Sequence, residues 1–312
     1  MSDRGRGAAD FDVEINGEPG TRNFMPAEFF ALVNAFLFSL HNILTKKGLR
    51  FSNPATAVVT SLGINMVFLW SVSLLFVPLD SLTDSAILIF AVVGLFQPGL
   101  TRLLTYKGIE TLGVAITDPI RASTPLFSAL FAILFLGEAM TVPIFFATIV
   151  IIAGITLLSH RGGSLQKIRF LYILYPLSAS LLAGVSQVLR KFGLAAIPHP
   201  FLAAAVTATS SFAVSLLIVL ISEKRRATFL LNKECLPFYL AAGVAVSLGM
   251  VSIYYALDLG KVTVVIPIAS TGPLFSLTLS ALFLRDVEKV TPKIVIGACL
   301  IISGVLLITL WK

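Results

Sequence analysis

Apolar residues fall in blocks about twenty residues long, separated by short polar joints, and this spacing constrains the fold more than any other feature of the chain. A bilayer core of roughly 30 Å takes about 20 helical residues to cross at ~1.5 Å each. Only 12% of the 312 residues are Asp, Glu, Lys or Arg, about half of the roughly 25% that soluble domains carry. A water-soluble globular enzyme is excluded on that ground. A transmembrane β-barrel is excluded too, because its strands alternate apolar and polar residues and hold no long apolar run. In lipid each segment must satisfy its own backbone groups, so the blocks are helices and the chain is an all-α polytopic membrane protein.

A hydropathy window of ~19 residues places ten helices at 27–47, 54–77, 86–107, 113–136, 142–159, 169–190, 200–221, 236–257, 262–284 and 292–311. Turn and break signals stand between them at Ser52-Asn53-Pro54, Val77-Pro78, His160-Arg161-Gly162-Gly163, Pro198-His199-Pro200 and Thr291-Pro292. The joints are too short for an extramembrane domain. Residues 1–26 are polar, glycine-rich and mixed in charge, the composition of a disordered tail. They show no signal peptide, so the block from Ala27 is expected to be a retained span. Neither Cys235 nor Cys299 has CxxC or Cys/His metal spacing around it, and His41, His160 and His199 stand far apart. A disulfide and a metal site are therefore not expected. The formal charge of +7 is spread over short loops and reads as membrane topology rather than nucleic-acid binding.

The chain also repeats itself. Pro125, Leu126, Phe127 and Ser128, running on to Leu136, align with Pro273, Leu274, Phe275 and Ser276, running on to Leu284, and seven of the twelve positions are identical. The same offset pairs Pro119 with Pro267. Upstream, Leu44, Lys46, Gly48 and Leu49 match Leu189, Lys191, Gly193 and Leu194; downstream, Gly154 matches Gly304. The chain is a duplicated five-helix unit, 27–160 and 169–312, joined by a linker at 161–168. Five is odd, so the second copy enters the membrane from the opposite face. Inverted repeats are a hallmark of secondary transporters, whose substrate site lies near mid-membrane at the repeat interface.

Leu136-Gly137-Glu138 closes helix four, a polar joint follows, and helix five carries Ile151-Ile152-Ala153-Gly154. In these residues, duplicated over about 27–311, the chain resembles the EamA repeat of the drug/metabolite transporter superfamily. The second copy departs from the pattern, with Arg285-Asp286 where the first has Gly137-Glu138, so the glutamate's role need not be duplicated. The resemblance implies ten helices, a central cavity lined by helices one, three, four, six, eight and nine, and a back wall of helices five and ten. It also implies cytoplasmic termini. It says little about substrate.

Ionisable residues in the hydrocarbon cost roughly 2.5–3.5 kcal/mol each and are functional candidates by default. Arg102 lies ~8 Å from the end of helix three, Asp118 a similar depth into helix four and Arg121 about 12 Å in. Asp118 and Arg121 share a helical face. Helix three ends on the side where helix four begins and helix one ends, so the three residues approach one level, with His41 and Asn42 close to it. Two guanidiniums against one carboxylate leave surplus positive charge, and the arginine fork suits a carboxylate or phosphate. Two readings stand: a subsite for an anionic or zwitterionic solute, or a salt-bridged latch between helices. The second repeat carries Met250, Ile266 and Ala269 at the equivalent positions, so the fold does not demand these charges.

Gln187, which matches Asn42, and Tyr254 and Tyr255 in helix eight are further candidates for lining the cavity. Pro119 and Pro125, with Pro267 and Pro273, interrupt helices four and nine, and each removes a donor and frees a carbonyl. They either offer polar backbone to a cavity or simply kink the bundle. Glu138 reads as a cap or interhelical anchor rather than a proton carrier. Gly154 and Gly304 are expected to bring helices five and ten close together as scaffold.

No HExxH, GxSxG or Walker loop occurs, which argues against an enzyme or a primary pump, and no cofactor is expected. Asp80 and Asp84 form one DxxxD without the second acidic cluster of magnesium-dependent prenyl transfer. The expectation is a secondary transporter that moves a small amino-acid-like, zwitterionic or anionic metabolite by alternating access. Its partners would be that solute and the lipid bilayer of a cell membrane, the inner membrane if the source is a bacterium. A lipid or lipid-phosphate translocase of the same fold is one competing reading, and an intramembrane enzyme around Asp80 and Asp84 is another. Asp118, Glu138 and His41 are the groups able to take a coupling proton. Orientation carries two opposed signals. Loops after helices one, three, five, seven and nine hold fourteen Lys/Arg against seven on the side of the termini, which places the termini outside. The resemblance places them in the cytoplasm, and that is the orientation adopted.

Overall fold

A computed structural model describes residues 26–78, 84–112, 114–159, 170–221, 230–283 and 292–311. The expected tail up to Met25, the 161–168 linker, Asp80 and the Arg285-Asp286 pair lie outside the described residues. Among the described residues the regular elements are all helices: α1 (Ala27–Gly48), α2 (Pro54–Phe76), α3 (Ile87–Gly94), α4 (Thr101–Leu112), α5 (Val114–Arg121), α6 (Thr124–Leu136) and α7 (Val142–Ser159) in the first half. The second half holds α8 (Phe170–Ala196), α9 (Pro200–Ile221), α10 (Leu236–Leu259), α11 (Val262–Ala269), α12 (Gly272–Phe283) and α13 (Pro292–Leu310). Among the described residues, seven stretches have the length and apolar composition to cross a membrane, and the shorter apolar helices Thr124–Leu136, Val142–Leu158 and Val295–Leu310 accompany them.

The outer surface is apolar, and polar side chains are buried among the apolar ones inside. Leu75, Phe76, Leu171, Ile221 and Leu310 stand exposed, while Asn65, Ser128, Thr207, Ser211 and Ser247 are buried. Lipid accepts the first set at no cost, and the second set finds partners inside. Most buried hydroxyls bond back to the carbonyl four residues before, as Ser211 Oγ does to Thr207 O at 2.7 Å. Others join helices: Ser247 Oγ donates to Asn65 Oδ1 at 2.8 Å, and Trp70 Nε1 donates to Thr209 Oγ1 at 2.8 Å.

Helix pairing carries the inverted symmetry. α1 packs against α10 and against the broken pair α11 and α12; α8 packs against α3 and α4 and against the broken pair α5 and α6. Exchanging the repeats turns one set into the other. α2 lies on α9 and α7 on α13, so each of those helices meets its own counterpart. α1 and α10 are antiparallel, because Asn34 Nδ2 donates to Gly249 O at 2.8 Å while His41 Nδ1 bonds Ala242 O at 3.0 Å.

Helices four and nine break where their second prolines stand, between Arg121 and Thr124 and between Ala269 and Gly272. Pro125 cannot donate to Arg121 O, and Thr124 Oγ1 takes that place at 2.7 Å. The break in helix nine is furnished alike: Ser270 Oγ donates to Ile266 O and Thr271 Oγ1 to Ile268 O, both at 2.8 Å. Helices three and six differ from expectation. Helix three, expected unbroken over 86–107, is kinked within Leu95–Leu100, where Gln97 is extended at φ −132° and ψ 117°, and it runs on to Leu112. Gln97 precedes Pro98, whose ring clashes with an α-helical neighbour. Helix six, expected to stop at residue 190, runs to Ala196.

Candidate functional site

The break at Gln97 faces the long helix α8. Gln187 Nε2 donates to Gln97 Oε1 at 3.1 Å, and Arg190 Nη1 donates to Gln187 Oε1 at 3.1 Å. Gln187 and Arg190 lie one helical turn apart, so both face the same neighbour. Arg190 is 6% exposed, and its guanidinium carbon sits over the Tyr254 ring, 5.3 Å from the centroid, within the range of a cation–π contact. Tyr254 is wholly buried and meets Phe90 edge-on at 5.8 Å. Its hydroxyl bonds Thr207 Oγ1 at 2.5 Å, and Thr207 Oγ1 donates onward to Phe90 O at 3.2 Å. Thr207 has one hydroxyl proton, so Tyr254 is the donor to it. Four helices from both repeats thus meet at one polar knot: α3 with the kink that follows it, α8, α9 and α10.

The expected candidates divide between two levels. Gln187 and Tyr254 belong to the Arg190 knot. His41 lies elsewhere: buried, its Nδ1 bonds the Ala242 carbonyl, and since a carbonyl only accepts, Nδ1 carries the proton. Ala242 and Tyr254 are twelve residues apart on α10, or about 18 Å along its axis. Arg102 lies within electrostatic reach of His41. Asp118 and Arg121 sit on α5, half-buried, and α5 packs on α4 and α8. Ser180 Oγ donates to Ile120 O at 3.1 Å, so the level of Arg121 falls about ten residues, or ~15 Å, before Arg190 on α8. Asn42 is exposed. Tyr255 turns away from Arg190 and stacks on Phe30 at 5.5 Å, with Phe201 edge-on at 5.9 Å.

Pro125 is buried at the start of α6, Pro267 is buried within α11, and Pro273 opens α12 half-buried; Pro119 lies within α5. A Cβ at Gly154 would stand 2.7 Å from Gly297 O, and one at Gly304 would stand 2.9 Å from Ala147 O. Asp84 Oδ1 accepts from Ala86 N at 2.8 Å at the entry to α3, and no group of three His, Cys, Asp or Glu among the described residues is placed to hold a metal.

Arg190 was missing from the sequence-derived candidates for a simple reason. A helix ending at residue 190 makes it a loop-side charge. The match of Gly48 and Leu49 with Gly193 and Leu194 held the needed signal, since it carries helix six past 190. The equivalent of Arg190 in the first repeat is Thr45.

Interrupted helices and a polar knot at the junction of two inverted repeats define a membrane transport architecture. The EamA-like transporter family matches the chain twice, over residues 25–160 and 170–310, and the chain belongs to that family. An uncharacterized protein of Methanocaldococcus jannaschii is 34% identical over 95 residues, 30% of this chain and 68% of that protein. A solved crystal structure superimposes with a TM-score of 0.77 over 91% of this chain and 96% of its own, at 16% identity, a likeness of fold alone.

Proposed function

We propose that the protein is a secondary transporter that carries a small zwitterionic or anionic metabolite across a cell membrane by alternating access between its repeats. The observation that carries this reading is the polar knot: Gln97 from the first repeat and Gln187, Arg190 and Tyr254 from the second join at an interrupted helix. Buried polar groups are costly in a bilayer and mark solute pathways. A site shared by two repeats changes its exposure when one repeat rocks against the other. Membership in a transporter family supports the same reading. The levels of Arg102, Asp118 and Arg121 on one side and Arg190 on the other would then be two stations along one path.

Reconstituted vesicles provide the test. Purified protein in proteoliposomes, preloaded with pools of unlabelled amino acids or organic acids, should accumulate the matching labelled solute by counterflow. Movement of labelled phospholipid between leaflets, with no solute counterflow in any pool, would replace this reading with a lipid translocase.

A further inference from the structure

We infer that Arg190, oriented by Gln187 and Gln97, is a carboxylate-binding subsite for a singly charged organic anion or the carboxylate of a zwitterion. This assignment deepens the transporter reading and depends on it for its physiological meaning. The starting observation is an uncompensated charge. Arg190 is 6% exposed, yet among the described residues it has no ion-pair partner. Its hydrogen-bonding neighbour Gln187 is a neutral amide, and its buried Nε has no acceptor among the described residues. An unpaired buried charge is expensive, because desolvation is not offset by a counter-charge. The first repeat has Thr45 at the equivalent place, so the fold itself does not call for a cation here.

The surroundings hold the guanidinium without neutralising it. Gln187 spends its carbonyl on Arg190 and its amide on Gln97, a relay that sets the plane of the fork. The Tyr254 ring lies under the cation, and its hydroxyl, which donates to Thr207, stands within reach of Arg190 as a neutral acceptor. An aspartate at any of these positions would cancel the charge; two amides and a phenol leave it available. The Nε edge without an acceptor fits an oxyanion that the protein does not itself supply.

Charge count selects the ligand class. One guanidinium balances one carboxylate, whereas a phosphate dianion asks for a second cation. The adjacent Lys191 cannot serve, because its Nζ is held by the carbonyls of Leu257, Asp258 and Gly260. Gln97 is half-buried at the helix break, so the relay reaches from the knot towards accessible space.

The experiment is thermal unfolding of the full-length protein in detergent with acetate and benzoate, each beside its neutral amide, and with inorganic phosphate. At least one carboxylate should raise Tm where its amide does not, and phosphate should act more weakly. Arg190→Gln should fold and lose the carboxylate response. Arg190→Lys should stay at least about tenfold weaker than the parent, since a point charge cannot replace the fork. Gln97→Ala should fold with a modestly lowered Tm and weaken the response about threefold or more by releasing the relay. A carboxylate response that survives in Arg190→Gln overturns the assignment, and so does a parent protein that treats carboxylate and amide alike. If Arg190→Gln does not fold, an undiminished response in Gln97→Ala overturns it. Failure of the transporter reading looks different: carboxylate binding that depends on Arg190, in a protein that moves no solute in vesicles, keeps the subsite and removes transport.

Discussion

Glu138 and Lys191 hold the turn between α10 and α11 from its two ends. The Glu138 carboxylate accepts from Val262 N at 2.8 Å and Thr263 N at 2.9 Å, capping the start of α11. Lys191 Nζ donates to Leu257 O at 2.5 Å, Gly260 O at 3.0 Å and Asp258 O at 3.3 Å, capping the end of α10. Each charge meets the helix end that its sign complements. Gly137, at φ +65°, ends α6 in a left-handed turn that a side chain would resist, and it delivers Glu138 to its cap. The first repeat supplies the anion and the second the cation, so the clasp joins the two repeats at a turn that neither charged residue belongs to.

Glu138→Gln should therefore lower stability by about 1–2 kcal/mol, because an amide gives a weaker, uncharged cap. Glu138→Ala should cost more, since two amide donors lose their acceptor. Thermal or denaturant unfolding measures both. A Glu138→Ala protein as stable as the parent would show the clasp to be incidental.

The seam between α7 and α13 should tolerate no bulk. A Cβ at Gly154 meets backbone atoms, Gly297 O at 2.7 Å and Ile301 N at 3.0 Å, and one at Gly304 meets Ala147 O. Backbone does not swing aside as a side-chain tip does. Gly154→Leu and Gly304→Leu should lose folded, monodisperse protein on size-exclusion chromatography. A well-folded Gly154→Leu with altered solute choice would contradict the scaffold role.

Arg121→Ala should reduce solute flux at least about tenfold while Tm moves little, if Arg102, Asp118 and Arg121 form a station on the solute path. The latch alternative makes the opposite forecast. There Arg121→Ala lowers Tm by stranding Asp118, and the double change Asp118→Asn with Arg121→Gln restores it while binding stays unchanged. Measuring Tm and flux for both variants separates the two.

Both termini should face the cytoplasm. Alkaline phosphatase fused after Lys312 should then be inactive in cells, and a fluorescent protein at the same site should fluoresce. An active phosphatase reverses the orientation and restores the charge-bias argument.

Sequence alone determined the apolar helical character of the chain, its two-repeat layout and the family. Each rests on a local property: a helix in lipid needs about twenty apolar residues, and a repeat shows itself by identity at a fixed offset. The breaks in helices four and nine were legible for the same reason, because proline acts on its own turn. Gln97-Pro98 carried that signal in helix three as well, yet one extended residue inside an apolar run does not change its hydropathy, and the span read as continuous.

Tertiary structure decided which polar residues meet. His41, Arg102, Asp118, Gln187 and Tyr254 all read as intramembrane polar groups, but partnership depends on the rotation and direction of packed helices, which no single segment encodes. Antiparallel packing of α1 on α10 sets His41 about 18 Å from the level of Tyr254, and the extra turns of α8 carry Arg190 inside to meet that ring. Hydropathy sees a charge near a helix end. Only the neighbouring helices determine that this charge is buried and, among the described residues, meets no counter-charge, because burial is a property of what surrounds a side chain and not of the side chain itself.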